Sequence, residues 1–198
     1  ARPRIVLEGA LEPLVAVCKR GMEGCATIAA ATATAAEVAR TRLIRYAAGA
    51  IANIACHGSS RAAIVNAGAA RPLVALCTLY DNTSGKTAPS GWAQVLGNGA
   101  GALANMALLP AARDALLSSG VVAPLVALLQ HSSDDRVLGC AAGAIANLAN
   151  GESRDDTADS GGDGAERARK TIFDASAVRP LVQLLSRSKD RVVLGNTA

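Results

Sequence analysis

Aromatic residues are almost absent from this chain: one Trp, two Tyr and one Phe among 198 residues, 2% in all. A core without them must rest on Ala, Leu, Val and Ile, and the 51% hydrophobic share is ample for a sizeable buried interior. Catalytic reagents are as scarce. His57 and His131 lie far apart, and neither has a second ligand at metal-binding spacing. Cys56 and His57 are neighbours, so on a helix they face different directions and make no nucleophile–base pair. No G-x-S-x-G elbow occurs. GNGAGA, Gly97 to Ala102, has the look of a nucleotide-binding loop but lacks the preceding strand and acidic residue of a βαβ unit. Asp155, Asp156, Asp159 and Asp163 miss the alternating spacing of a calcium loop. These absences argue against an enzyme; no metal site and no cofactor are expected.

Five cysteines occur with no CxxC pair, which favours a reducing compartment and so a cytoplasmic location, with nuclear, cytoskeletal or ciliary residence also compatible. No run reaches the roughly 18 uninterrupted apolar residues of a membrane span, and no secretion signal is evident. The net charge of +4 is uneven. Residues 151–170 carry six acidic and four basic residues, leaving about +6 on the rest, which suits an acidic partner. No basic patch with interleaved aromatics marks a nucleic-acid binder.

What the chain has instead is repetition. AAGAIANIA (Ala47 to Ala55), GAGALANMA (Gly99 to Ala107) and AAGAIANLA (Ala141 to Ala149) are near copies, each with an asparagine at the same place. Between them recur GALEPLVAVC, GAARPLVALC, GVVAPLVALL and SAVRPLVQLL, with Pro13, Pro72, Pro124 and Pro180 four residues after the first position. Proline is tolerated in a first helical turn, where its missing N–H has no intrahelical partner, so these are helix starts. Ahead of each lies a short apolar segment, Ile5-Val6, Ile64-Val65, Leu116-Leu117 or Ile172-Phe173, set off by glycine three times and by Ser176 once. Glycine permits a sharp turn between helices; serine there is harder to explain. The unit is short helix, turn, proline helix, loop, third helix.

The prolines are spaced by 59, 52 and 56 residues and Asn53, Asn105 and Asn147 by 52 and 42, so insertions separate the units. They fall at 19–40, whose alanine-rich half is able to extend the next helix, at the turn-rich 78–91, and at the acidic 151–170, expected to be mobile for want of apolar surface. Residues 1–198 thus read as one all-α domain, about three complete repeats with partial repeats at both ends. Neither end shows a polar capping face, so we expect a fragment of a longer solenoid, or ends covered in a larger complex.

The pattern AGAARPLVAL followed by VLGNGAGALANMA, and SGVVAPLVALL followed by RVLGCAAGAIANLA, resembles the armadillo repeat family over almost the whole chain. The resemblance implies an α-solenoid, a right-handed superhelix of three-helix repeats whose third helices line a concave groove. It also implies a non-enzymatic scaffold that binds a protein or extended peptide through an asparagine ladder. By position, Asn53, Asn105 and Asn147 are the candidate rungs. A carboxamide pairs with both N–H and C=O of a peptide; the alternative is that each asparagine orders its own helix end or the next loop. Peptide-gripping nuclear-import receptors of this family carry tryptophan one turn before the asparagine, where this chain has Gly49, Gly101 and Gly143. Recognition of nuclear-localisation peptides is therefore not expected. The glycines imply a wider, smoother groove, close approach by a helix from a partner, or instead tight packing between layers. Arg42, Arg136 and Arg191 recur near third-helix starts, either along one groove edge or in salt bridges between repeats, and Trp92 in the second inserted connection is the first aromatic anchor to test. The rival reading is a structural solenoid segment packed permanently in a larger, cytoskeletal or ciliary, assembly.

Overall fold

The computed structural model describes residues 9–22, 34–79, 91–150 and 162–187. Among them are ten α-helices and no strand: α1 (Leu11–Met22), α2 (Ala35–Ala55), α3 (Gly58–Asn66), α4 (Ala70–Thr78), α5 (Trp92–Ala107), α6 (Pro110–Ser118), α7 (Val122–His131), α8 (Asp135–Ala149), α9 (Gly162–Asp174) and α10 (Val178–Arg187). Helices α3–α4–α5 and α6–α7–α8 are complete three-helix layers. Helices α1 and α2 are the second and third members of the layer before, and α9 and α10 the first and second of the layer after. Like stacks on like: α3 on α6 on α9, α1 on α4 on α7 on α10, and α2 on α5 on α8. The third-helix stack has the most extensive contacts of the three. This is the all-α solenoid expected from the repeats.

The turns have one chemistry. Gly68 and Gly120 adopt φ 73° and Ser176 adopts φ 58°, each just past the end of a first helix. The next residue donates its N–H five residues back: Ala69 to Ile64 O at 3.3 Å, Val121 to Leu116 O at 3.4 Å and Ala177 to Ile172 O at 3.2 Å. That is the helix-ending motif in which a left-handed residue satisfies the last carbonyls. Gly9 has the same φ of 74° ahead of α1. A Cβ at Gly9, Gly68 or Gly120 meets nothing within 4 Å, so glycine stands there for its φ and not for space. Ser176 makes the same corner at a steric cost. After each turn the proline is the third residue of its helix, Pro13, Pro72, Pro124 and Pro180, where no intrahelical bond is lost.

Aliphatic side chains and alanine fill the interior as the composition demands: Ile44, Ile51, Leu73, Leu103, Leu125, Ile145 and Leu148 are buried beside Ala48, Ala55, Ala100, Ala107, Ala141 and Ala144. Alanine and glycine on α2, α5 and α8 let these helices approach closely. Helix α2 takes up part of the first insertion, starting at Thr34, whose hydroxyl accepts from the Glu37 N–H at 3.3 Å while the Glu37 carboxylate accepts from the Thr34 N–H at 2.6 Å. The third insertion is not a loop throughout. From Gly162 it is α9, with Ala165, Ala168 and Ile172 buried, because an apolar stripe at helical spacing survives among the charges. Among the described residues no single helix is long and apolar enough to cross a membrane. Among the described residues all the large exposed apolar side chains but Leu108 lie on the first and last layers: Val38, Leu43 and Tyr46 on α2, and Phe173, Val178, Val182 and Leu185 on α9 and α10.

Candidate binding surface

One face of each third helix runs Arg42, Tyr46, Gly49, Asn53 on α2, then Gln94, Asn98, Gly101, Asn105 on α5, then Arg136, Cys140, Gly143, Asn147 on α8. Steps of four, three and four residues keep each set on one side of its helix. Stacking brings the three rows side by side.

The asparagines at the foot of the rows are tied to the scaffold by one end. Asn105 Nδ2 donates to Ala52 O at 3.1 Å, and Asn147 Nδ2 donates to Ala104 O at 2.9 Å. In each case the acceptor is the carbonyl just before the asparagine of the preceding layer. Neither a bond to the asparagine's own helix end nor one to the next loop describes this; the layer before supplies the acceptor. The Nδ2 of Asn105 also lies 3.4 Å from Cys56 Sγ. Both Oδ1 atoms take no partner among the described residues, and Asn53, on the first described third helix, is exposed and makes no such bond there.

Asn98, seven residues before Asn105, extends the pattern and was not singled out by sequence reasoning. Its Nδ2 donates to Arg45 O at 2.8 Å, and its Oδ1 accepts from the Arg136 guanidinium. A chain of polar contacts therefore crosses α2, α5 and α8. The signal was in GNGAGA, whose asparagine sits one heptad above a rung.

The glycines belong to this packing. A Cβ on Gly49 falls 2.8 Å from Asn98 Nδ2, and one on Gly101 falls 3.4 Å from Cys140 Sγ. Of the readings open to them, these distances at Gly49 and Gly101 support close interlayer contact. Gly143 is half-buried, and its counterpart stretch in the next layer, 188–198, lies outside the described residues.

The arginines part ways. Arg136 lies across α5, its Cγ and guanidinium 3.5–3.7 Å from the Cβ position of Gly97, and stays exposed. Arg42 is exposed at the matching place on α2. Neither forms a salt bridge among the described residues, so the interrepeat-bridge reading has no support at these two positions. Arg191 lies outside the described residues. Arg45 stacks on the Tyr46 ring at 4.6 Å, and hydrogen bonding from Arg45, then its charge and Arg42, hold the Tyr46 hydroxyl below its ordinary pKa. Trp92 is corrected: it is the first residue of α5, 6% exposed and part of the core, not an anchor in a connecting loop.

A second arginine set lies on the first helices, seven residues before each turn: Arg61, Arg113 and Arg169. Arg61 Nε donates to Ala55 O and Arg169 Nε to Ala149 O, both at 3.0 Å, so each closes the C-terminus of the preceding third helix. Arg113 is 4% exposed with its Nε unpartnered, and desolvation, then Arg169, push its pKa down.

Residues 110–150, the layer α6–α7–α8, match the family model for the armadillo/beta-catenin-like repeat. The fold is similar to that of an engineered protein at 30% identity, covering 95% of this chain and 59% of that one with a TM-score of 0.67. It is similar to a designed armadillo repeat protein in complex with the peptide (KR)4, at 26% identity, 99% and 64% coverage and a TM-score of 0.68. Computationally designed armadillo repeat proteins for modular peptide recognition match at 27% identity, 99% and 65% coverage and a TM-score of 0.68. The chain spans 59–65% of the length of these three proteins. No curated protein matches it.

Proposed function

The chain belongs to the armadillo repeat family, and from that premise we propose that it is a non-enzymatic scaffold holding an extended segment of a partner protein along α2, α5 and α8. The observation that carries this is the half-tethered asparagine. Asn105 and Asn147 each have Nδ2 fixed by the layer before while Oδ1 is left unpartnered among the described residues. A side chain held at one end offers the other in a fixed direction, so the rungs present acceptors to peptide N–H groups with little ordering cost. A designed relative holding (KR)4 supports the mode of binding. The unpaired thiols Cys18, Cys56, Cys77 and Cys140 support a reducing, cytoplasmic setting.

The test is a pull-down with the soluble chain followed by residue-resolved cross-linking. Contacts clustering on the faces of Asn53, Asn105 and Asn147 support the reading; contacts confined to first and second helices defeat it. The apolar side chains exposed on the first and last layers favour one alternative, a solenoid segment built into a larger assembly. Cross-links restricted to Leu43, Phe173 and Val182 would select it.

A further inference from the structure

We propose that the third-helix face selects an acidic extended segment, the opposite in charge of (KR)4. This rests on the scaffold reading above and names the chemistry of its occupant.

The side chains that reach the surface along this face are cationic or neutral: Arg42, Arg45 and Tyr46 from α2, Gln94 and Asn98 from α5, Arg136 from α8. The nearby carboxylates are partly committed. Glu37 is engaged in the α2 cap, where its bonds with Thr34 hold it strongly ionised, and Asp134 caps α8 through the Val137 N–H at 3.0 Å. Asp135, exposed in the first turn of α8, forms no salt bridge with Arg136. Arg42, Arg45 and Arg136 have no carboxylate partner among the described residues.

Arg136 is also held in place. Its guanidinium donates to Asn98 Oδ1 and its side chain packs over Gly97, 3.5–3.7 Å from that residue's Cβ position, an ordinary contact distance. Asn98 is itself fixed through Arg45 O at 2.8 Å. A guanidinium bound on one edge has its remaining N–H groups free to fork onto a carboxylate. Arg45, stacked on Tyr46, is ordered in the same sense at the other end of the row.

The spacing suits an extended chain. Packed helices lie about 8–10 Å apart, so Arg42 and Arg136, two third helices apart, are on the order of 20 Å from each other. At roughly 3.3 Å per residue, that distance is about six residues of extended peptide between carboxylates. A single-stranded nucleic acid shares the charge but needs stacking platforms, and Tyr46 is the sole aromatic on this face among the described residues.

The experiment is a fluorescence-anisotropy titration of the whole chain with three labelled peptides, (DE)4, (SN)4 and (KR)4, each carrying a photo-cross-linker. We expect (DE)4 to bind at least tenfold more tightly than (KR)4 and to weaken as salt is added. Arg42→Ala and Arg136→Ala should each lower (DE)4 affinity by about two- to fivefold, the range of exposed ion pairs. Arg136→Lys, which keeps the charge but cannot fork onto a carboxylate, should fall between the unsubstituted chain and Arg136→Ala, and circular dichroism should show all variants folded. Equal or tighter binding of (KR)4, or an Arg42→Glu/Arg136→Glu chain that still binds (DE)4 normally, overturns the proposal. If (SN)4 or (KR)4 binds best and cross-links to α2, α5 and α8, the scaffold reading stands and the acidic preference falls. If (DE)4 cross-links only to first or second helices, or to a chain whose copies cross-link to each other through this face, the scaffold reading falls with it. Displacement of (DE)4 by an equally charged oligonucleotide at equal affinity also overturns the proposal, in favour of a general polyanion surface.

Discussion

Asn98 accepts a hydrogen bond from Arg136 of the layer after it while donating to the Arg45 carbonyl of the layer before it. One carboxamide thus joins three third helices. Asn105 makes one such bond to oxygen, to Ala52 O, beside a weak one to Cys56 Sγ, and Asn53 makes none among the described residues. A buried or half-buried hydrogen bond is worth about 1 kcal/mol net, and more where a charged donor takes part. Urea denaturation should therefore rank the alanine variants by bond count: Asn98→Ala loses about 2 kcal/mol, Asn105→Ala about 1 kcal/mol, and Asn53→Ala close to nothing. An Asn53→Ala loss as large as that of Asn98→Ala would show that interlayer bonding does not set the order.

The glycines give a second ranking. Glycine within a helix costs about 1 kcal/mol against alanine, so each Gly→Ala change starts with that gain. At Gly101 the new methyl meets Cys140 Sγ at 3.4 Å, a contact relieved by a small shift, and Gly101→Ala should be neutral to stabilising. At Gly49 it meets Asn98 Nδ2 at 2.8 Å, so the amide must leave Arg45 O and give up the bond. Gly49→Ala should then be less stable than Gly101→Ala by about 1–2 kcal/mol in the same denaturation measurement, and equal values would remove the packing account of these glycines.

How far the sequence spoke depended on the range of the physics involved. The turns and proline positions were legible because they are set by a few neighbouring residues: a left-handed φ at Gly68 and Gly120, a missing N–H at Pro72 and Pro124. The third helices were legible from repeated apolar and small residues. The link from Asn98 to Arg136 was not, since those residues are 38 positions apart and meet only through the register of stacked helices. Trp92 misled because the end of a connection and the start of a helix are told apart by burial, which one aromatic does not announce. The helical stretch from Gly162 hid behind its charges, although Ala165, Ala168 and Ile172 already fall at helical spacing. Arg61 and Arg169 recur as regularly as the prolines, but their partners, the carbonyls of Ala55 and Ala149, carry no side-chain signature.

Ser176 offers a test of the turn chemistry in both directions. A non-glycine residue in the left-handed region costs roughly 1–2 kcal/mol, and Ser176 sits there at φ 58° where Gly120 sits at φ 73°. Ser176→Gly should raise stability, by less than that strain because glycine also frees the unfolded chain, a net gain of about 0.5 kcal/mol. Gly120→Ala should lower it by about 1 kcal/mol although no atom lies within 4 Å of the added Cβ. A harmless Gly120→Ala would mean that the corner tolerates another conformation, which hydrogen exchange at the Val121 N–H would register as lost protection.

The thiols predict both reactivity and an alkaline limit. Cys56 is exposed, whereas burial pushes Cys18 up to about 11 and Cys77, with the charge of nearby Cys140 adding to it, up to about 12. Burial also raises Cys140. Thiolate is the reactive form, so iodoacetamide at mildly alkaline pH should label Cys56 in the folded chain, while Cys18 and Cys77 become labelled only on unfolding. The sign of the pH effect follows from the same shifts. Between the unfolded value of 9.0 and the folded values of about 11 and about 12, the folded chain keeps protons that the unfolded chain has lost. Stability from these thiols is therefore intact below 9.0 and falls as pH rises through that window. Cys77→Ala, which removes the thiol that burial pushes up furthest, should flatten the alkaline decline in urea midpoints between pH 9 and 11 relative to the unsubstituted chain, and an unchanged slope would show that Cys77 does not carry it.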